Sequence, residues 1–141
     1  MTVFIDANVL VYAMIDTPFS EPCREILTAI ARGQLDAATS VLAAEEAWHA
    51  ERRAPLGIPA GSIMTAIGLF DNVLACDVEV VEDAMRMTTL PDSLGTADRI
   101  HLATCRANGI DTIVSADDAF DTVAWLTRVR PDAAGVAALL G

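Results

Sequence analysis

Short apolar runs alternate with longer helical patterns along this chain, and that alternation constrains the fold more than any other feature. The first run, Val3–Ile5, is followed at once by a helical pattern that opens at Asn8. The later runs are residues 34–39, 75–81, 112–115 and 123–129. Strands separated by helices form a mostly parallel sheet, so we predict a single α/β domain over residues 1–141.

The helices between these runs are predicted from hydrophobic spacing and from residues that end helices. Gly33 and Gly109 each follow a helical pattern, at the position where glycine commonly ends a helix. The main predicted helices cover residues 20–33, 40–53, 62–73 and 95–108.

Acidic residues recur where strands end and the following helices begin. Asp6 directly follows the first run, and an ionised carboxylate there is costly without a cation or several hydrogen bonds. The other acids at equivalent places are Glu45 and Glu46, Asp98, and Asp117 with Asp118. Because strand carboxyl ends and helix N-termini share one edge of a parallel sheet, we expect these acids to converge.

The donor types in this group predict a hard-oxygen metal site. Carboxylates suit Mg²⁺ or Mn²⁺, whereas His49 and His101 do not lie at zinc-ligand spacing from a cysteine. Such ions bind phosphates and activate water, so phosphodiester hydrolysis is the expected chemistry. Asp98 shares a helical stripe with Leu94 and Leu102, which favours a carboxylate in the cleft over one that only complements the helix dipole.

Composition restricts the partners of the chain. Its net charge is −11, and all 9 basic residues are arginines. This excludes nucleic-acid binding by bulk electrostatics alone but leaves a nuclease whose cations reverse the local charge. No apolar stretch is long enough for a membrane span, and three widely spaced cysteines indicate reduced thiols, so we expect a cytoplasmic protein.

Four segments together resemble a known family. They are VFIDANVLVYA, TSVLAAEEAW, TADRIHLATCRANGI and IVSADDAF, and their order and spacing are more specific than any one of them. The chain resembles PIN-domain proteins, and among these the VapC-type toxin ribonucleases of bacterial toxin–antitoxin pairs. The resemblance covers nearly the whole chain and implies a PIN-like three-layer α/β fold, with a central mostly parallel sheet flanked by helices.

The resemblance also implies a function and a site. It implies a Mg²⁺- or Mn²⁺-dependent endoribonuclease that hydrolyses RNA, is neutralised by a small antitoxin protein and forms a homodimer. Asp6 and Asp98 match the principal metal ligands, and Asp117 matches the last acid of the site. Asn8 and Ser115 match polar positions that support the first and last acids.

The fourth acid has two candidates, because the family usually carries a single glutamate where Glu45 and Glu46 are adjacent here. The spacing to Trp48 predicts Glu45, and the spacing from Ser40 leaves Glu46 as the alternative. Asp118 is likewise an alternative to Asp117.

Other functions agree less well with the same residues. A haloacid-dehalogenase-type phosphatase needs an aspartate where Asn8 stands, and a phosphorylated receiver module needs a lysine, which the chain lacks. A catalytically silent PIN fold used for binding or dimerisation is the remaining alternative, but none of the four acids is missing. His101 lies one turn after Asp98, where it could hydrogen-bond near the site, but we expect it to be structural. For Arg99 and Arg106 we expect pairing with acids over contact with phosphates.

Overall fold

A five-stranded sheet forms the centre of the computed structural model, which describes residues 1–141. The strands are β1 (Val3–Ile5), β2 (Ala37–Ser40), β3 (Asn72–Leu74), β4 (Thr112–Val114) and β5 (Thr127–Val129). They lie in the order β3-β2-β1-β4-β5, and every neighbouring pair is parallel. The predicted α/β architecture is confirmed, with a sheet that is entirely rather than mostly parallel.

Seven α-helices flank the sheet. They are α1 (Ala7–Tyr12), α2 (Ser20–Ala31), α3 (Val41–Glu51), α4 (Ser62–Ile67), α5 (Val78–Met85), α6 (Thr96–Ala107) and α7 (Ala133–Leu140). Two short 3₁₀ helices cover Ala54–Leu56 and Asp118–Thr122. None of the helices combines the length and the apolar character that a membrane crossing requires.

The central strand β1 is buried along its whole length. Phe4 and Ile5 are fully inaccessible, as expected for a strand covered on both faces by helices. Ile113 of the neighbouring β4 and Leu102 of α6 belong to the same apolar core. The core therefore holds the ends of β1 and β4 in fixed positions.

Two of the predicted element bounds are wrong around the third strand. The strand is Asn72–Leu74 rather than 75–81, and the helix predicted over 62–73 ends at Ile67. Asp77 accepts a hydrogen bond from the backbone N–H of Val80 at 3.0 Å, so it caps α5 and turns residues 78–81 into a helix start. Val78, Val80 and Val81 therefore belong to a helix and not to a longer strand.

The predicted glycine stops are confirmed. Gly33 follows α2 with φ of +70°, and Gly109 follows α6 with φ of +66°, a backbone region that side chains strongly disfavour.

The strand order places β1 between β2 and β4, so the three chain segments that leave these strands emerge side by side.

Candidate metal centre

Asp6 lies at the carboxyl end of β1 and caps α1. Its Oδ1 accepts a hydrogen bond from the backbone N–H of Ala7 at 2.8 Å. Its Oδ2 accepts from Ser115 Oγ at 2.6 Å and from Asn8 Nδ2 at 3.2 Å. Burial raises the pKa of Asp6, and it outweighs these hydrogen bonds and the nearby His101, which lower it. The carboxylate is therefore oriented by three donors yet still destabilised in its charged form.

A hydrogen-bonded network joins this carboxylate to the end of β4. Asn8 Nδ2 also donates to Ser115 Oγ at 3.1 Å, and Asn8 Oδ1 accepts from the backbone N–H of Ala116 at 3.2 Å. Ser115 Oγ accepts from the backbone N–H of Asp117 at 3.1 Å. Asn8 and Ser115 thus fix the end of β4 relative to Asp6.

Asp98 lies in the first turn of α6 and is half-buried. Its Oδ2 accepts a hydrogen bond from the backbone N–H of Gly95 at 3.2 Å, so it also helps to cap the helix. Burial raises the pKa of Asp98, the bond from Gly95 lowers it, and the negative charges of Asp117 and Asp6 raise it further. The three aspartates therefore interact electrostatically across the edge of the sheet.

Asp117 follows β4 and caps the 3₁₀ helix Asp118–Thr122. Its Oδ1 accepts a hydrogen bond from the backbone N–H of Ala119 at 3.0 Å. Asp117 is half-buried, whereas Asp118 is exposed. Of the two candidates, the geometry favours Asp117.

Glu46 and not Glu45 is the glutamate near Asp6. Glu46 Oε1 lies 2.6 Å from His101 Nε2, and ligand atoms of Asp6, Glu46 and His101 all lie within 4.8 Å of one another. Glu45 is exposed and lines a groove of about 640 Å³ between α3 and α4, together with Trp48. The geometry thus favours the alternative, Glu46, over Glu45.

The helical positions explain this difference. Successive residues of an α-helix point about 100° apart, so adjacent glutamates cannot face the same way. Ala43 and Ala47 form the buried face of α3, and Glu46 lies on the side of that face. Trp48 is 54% exposed, so the spacing that aligns Glu45 with Trp48 places Glu45 on the outer face.

His101 lies at the centre of the site, which sequence reasoning did not predict. It is only 1% exposed, its ring centroid lies 5.5 Å from that of Phe4, and its Nε2 lies 3.7 Å from Asp6 Oδ1. Burial lowers the pKa of His101, but the hydrogen bond to Glu46 and the carboxylates of Asp6 and Asp98 raise it above its ordinary value. The signal for this role was its position one turn after Asp98.

Neither arginine of α6 bonds to a carboxylate of the candidate metal site. Arg99 is wrongly predicted to pair with an acid; its guanidinium donates to main-chain carbonyls in the preceding loop. These carbonyls belong to Met87, Leu90, Pro91 and Leu94. Arg106 does pair with an acid, Asp83, at 2.9 Å. Arg99 therefore fixes the loop that leads into Asp98.

The donor set fits a divalent cation. Carboxylate oxygens are the ligands that Mg²⁺ and Mn²⁺ prefer. Those of Asp6 and Glu46 lie within 4.8 Å of one another, and Asp98 interacts electrostatically with Asp6 and Asp117. Burial and mutual repulsion raise the pKa of Asp6 and Asp98, and a bound cation would relieve both effects.

Comparison with known protein families and sequences gave two matches. The model of the family described as PIN domain matches residues 3–126. Ribonuclease VapC7 from Mycobacterium tuberculosis (strain ATCC 25618 / H37Rv) is 29% identical over 142 residues, which cover 99% of this chain and 98% of that protein.

Solved structures share the fold at low sequence identity. VapBC2 from Rickettsia felis, crystallised with a DNA fragment from its promoter, aligns with a TM-score of 0.66 and 13% identity over 92% of this chain and 98% of that chain. Mycobacterium tuberculosis VapC20, described as a sarcin-ricin loop cleaving toxin, aligns with a TM-score of 0.64 and 14% identity over 86% and 95%. These likenesses concern the fold alone.

Proposed function

This chain belongs to the PIN-domain family, and we propose that it is a divalent-metal-dependent endoribonuclease. The observation that supports this most directly is the close approach of Asp6 and Glu46 at the carboxyl end of β1, beside Asp98, whose pKa burial and the negative charges of Asp117 and Asp6 raise. The similarity to Ribonuclease VapC7 along nearly the whole chain supports RNA as the substrate. A catalytically silent scaffold is disfavoured because the site has all four of its acids.

We propose Asp6, Asp98 and Asp117 as metal ligands, with Glu46 as the fourth acid in place of Glu45. Asn8 and Ser115 are proposed to support the first and last acids, as their hydrogen bonds suggest. Burial and neighbouring negative charges raise the pKa of both Asp6 and Asp98. We therefore expect these two carboxylates to contribute most to cation affinity.

The proposed cofactor is Mg²⁺ or Mn²⁺. When bound, either ion would supply a Lewis acid that lowers the pKa of a coordinated water and neutralises charge on the scissile phosphate. The carboxylates of Asp6, Asp98 and Asp117 would hold the ion in a fixed position with Glu46 beside them, and we assign none of the four as a general base because all would face the cation. The reaction is hydrolysis of an RNA phosphodiester bond.

The acidic surface of the protein agrees with this proposal. With a net charge of −11 the chain repels a polyanion over most of its surface. Approach of RNA then depends on the cation at the carboxylate edge, which reverses the sign of the charge locally. Cation binding and RNA binding should therefore be coupled.

We further propose that the protein is the toxin of a VapBC-type toxin–antitoxin pair. The similarity to VapC7, and the fold shared with VapBC2, support this assignment. Its partners are then a small antitoxin protein and a second copy of this chain, and its place of action is the cytoplasm. A neighbouring gene for a small DNA-binding protein would distinguish a toxin from a solitary PIN-domain nuclease.

Incubation of the purified protein with a panel of RNAs, in Mg²⁺, Mn²⁺ or EDTA, tests the function. We expect cleavage with either metal and none in EDTA. Asp6→Asn should be inactive, whereas Asp92→Asn, which changes an exposed loop aspartate, should retain full activity. Cleavage that persists in EDTA or in Asp6→Asn, or intact RNA throughout, would contradict the proposal.

A further inference from the structure

The four carboxylates of the site are not held in the same way. Each of the three aspartates accepts a backbone N–H, from Ala7, Gly95 or Ala119 respectively. These bonds come from the local geometry of a helix start, so they form wherever the helix forms. The aspartates are therefore positioned by the fold itself.

Glu46 has no such backbone bond. It lies in the middle of α3, where the backbone N–H groups are used within the helix. Its side chain is 34% exposed, and its only hydrogen bond in the structure is the 2.6 Å contact between Oε1 and His101 Nε2. A glutamate side chain has three rotatable bonds, so without this contact it can turn towards solvent.

The contact defines which nitrogen of His101 carries a proton. An ionised carboxylate is only an acceptor, so His101 Nε2 must donate to Glu46. The same nitrogen lies 3.7 Å from Asp6 Oδ1, and it therefore faces both acids. The proton on Nε2 therefore lies near the carboxylates of both Glu46 and Asp6.

The other nitrogen of His101 shows that packing alone does not explain this residue. Nδ1 is buried and has no hydrogen-bond partner. An unsatisfied buried polar atom destabilises a protein, and an apolar side chain of similar size would fill the same space beside Phe4 without that cost. The polar function of His101 is thus directed entirely at the carboxylate site.

We propose that His101 is a positioning residue, which holds the carboxylate of Glu46 in the metal site through an Nε2–H···Oε1 hydrogen bond. His101 does not contact substrate, and it acts on the cation through Glu46. The expected effect of His101 on RNA cleavage rests on the proposed nuclease function, whereas its expected effect on cation binding does not.

The test compares two substitutions of His101. His101→Leu removes the donor and keeps an apolar side chain in the core. His101→Gln keeps a donor, because the amide nitrogen of glutamine lies the same number of bonds from Cγ as Nε2 of histidine. His49→Leu makes the same histidine-to-leucine change at an exposed position of α3 and serves as the control. Mn²⁺ affinity by calorimetry, thermal unfolding and RNA cleavage are measured for each.

We expect His101→Leu to stay folded and to bind Mn²⁺ about tenfold more weakly, the lower end of the range for lost support of a metal ligand. His101→Gln should recover most of the affinity, and His49→Leu should match the wild type. In the double variant His101→Leu/Glu46→Gln, the affinity should equal that of Glu46→Gln alone, because both changes remove the same interaction.

Three results would overturn the proposal. They are unchanged Mn²⁺ affinity in His101→Leu, equal loss of affinity in folded His101→Gln and His101→Leu, and additive losses in the double variant. If the wild-type protein cleaves no RNA, the nuclease proposal fails, but the Mn²⁺ affinities still decide the role of His101. If the wild type cleaves and His101→Leu cleaves equally well, this inference fails alone.

Discussion

Ser115 donates a hydrogen bond to Asp6 across the junction of the two central strands, at 2.6 Å between Oγ and Oδ2. A hydroxyl has one proton, so the contacts of Ser115 with Asn8 Nδ2 and the backbone N–H of Asp117 must be bonds that it accepts. One buried hydroxyl therefore sets the positions of the first and the last acid of the site together.

Ser115→Ala should weaken cation binding and lower stability. The bond from Ser115 lowers the pKa of Asp6, so its loss disfavours the ionised form that a cation needs. Hydrogen bonds to charged groups contribute about 1.5–3 kcal/mol, so we expect a loss of that order in the free energy of unfolding at neutral pH. Chemical denaturation and Mn²⁺ calorimetry measure the two effects.

Ser62→Ala is the matched control for this change. Ser62 Oγ donates to the carbonyl of Pro59 in an exposed turn, far along the chain from the acids. Its removal should leave Mn²⁺ affinity unchanged. Equal effects of the two alanine variants on Mn²⁺ affinity would contradict the role given to Ser115.

Glu46→Gln should abolish RNA cleavage, and Glu45→Gln should leave it nearly intact. Glu46 contacts His101 beside Asp6, whereas Glu45 lines the groove with Trp48. Because the two residues are neighbours on one helix, each variant is the control for the other in charge and in helix propensity. Single-turnover cleavage assays decide the point, and excess Mn²⁺ should partly restore Glu46→Gln. The reverse pattern would transfer the role to Glu45.

Asp98→Asn should stabilise the metal-free protein above acidic pH. The folded-state pKa of Asp98 is raised above its ordinary value of 3.8, mainly by burial. Its contribution to stability is therefore fully present below pH 3.8 and is lost as the pH rises through the folded-state pKa. Thermal unfolding in EDTA should show equal Tm values near pH 3 and a higher Tm for the variant at pH 7.

Asp121→Asn is the control for this prediction and should show the opposite pH profile. Hydrogen bonds from Arg128 at 2.9 and 3.0 Å hold the pKa of Asp121 below 3.8. Its contribution to stability is present above the ordinary pKa and is lost as the pH falls through the folded-state pKa. The variant should thus be less stable than the wild type at pH 7 and equal to it in strong acid. If the stability of both variants relative to the wild type changed with pH in the same direction, the raised pKa of Asp98 would be contradicted.

The edge where the acids meet could be predicted from the sequence because topology alone determines it. Once strands alternate with helices, parallel pairing brings the ends of β1 and β4 together, whatever the side chains between them do. Asp6 and Asp117 follow directly from that rule, and Asp98 lies at the start of the helix that leads into β4. The α/β class with a parallel sheet follows from the same alternation.

The remaining details depend on tertiary packing. The choice between Glu46 and Glu45 depends on which face of α3 is buried, and small residues such as Ala43 and Ala44 do not reveal it. The sequence predicts a structural role for His101, which is 1% exposed, but its bond to Glu46 joins two helices through residues 55 positions apart in sequence, and no local pattern indicates it. The predicted bounds of the third strand are wrong because Asp77 caps a helix at this point. A hydrophobic pattern does not indicate such a local hydrogen bond between a side chain and the backbone.

Arg99→Lys should lower stability markedly and weaken cleavage. The guanidinium donates to several carbonyls of the loop that precedes α6, including those of Leu94 and Leu90. A lysine ammonium cannot satisfy all of these acceptors at once. We expect a loss of about 2 kcal/mol or more in the free energy of unfolding. Arg106→Lys is the control, because its pair with Asp83 is largely exposed and should contribute at most about 1 kcal/mol.

Mg²⁺ or Mn²⁺ should stabilise the folded protein more than ionic strength alone does. A ligand that binds only the folded state adds about 2.7 kcal/mol at 100 times its Kd, which corresponds to roughly 10 °C in Tm for a chain of this size. The increase should disappear in Asp6→Asn, which removes a charge from the centre of the cluster. NaCl at matched ionic strength screens surface repulsion but cannot bridge buried carboxylates. Equal Tm values in the divalent and monovalent salts would show that charge screening alone explains the increase, which would contradict a specific metal site.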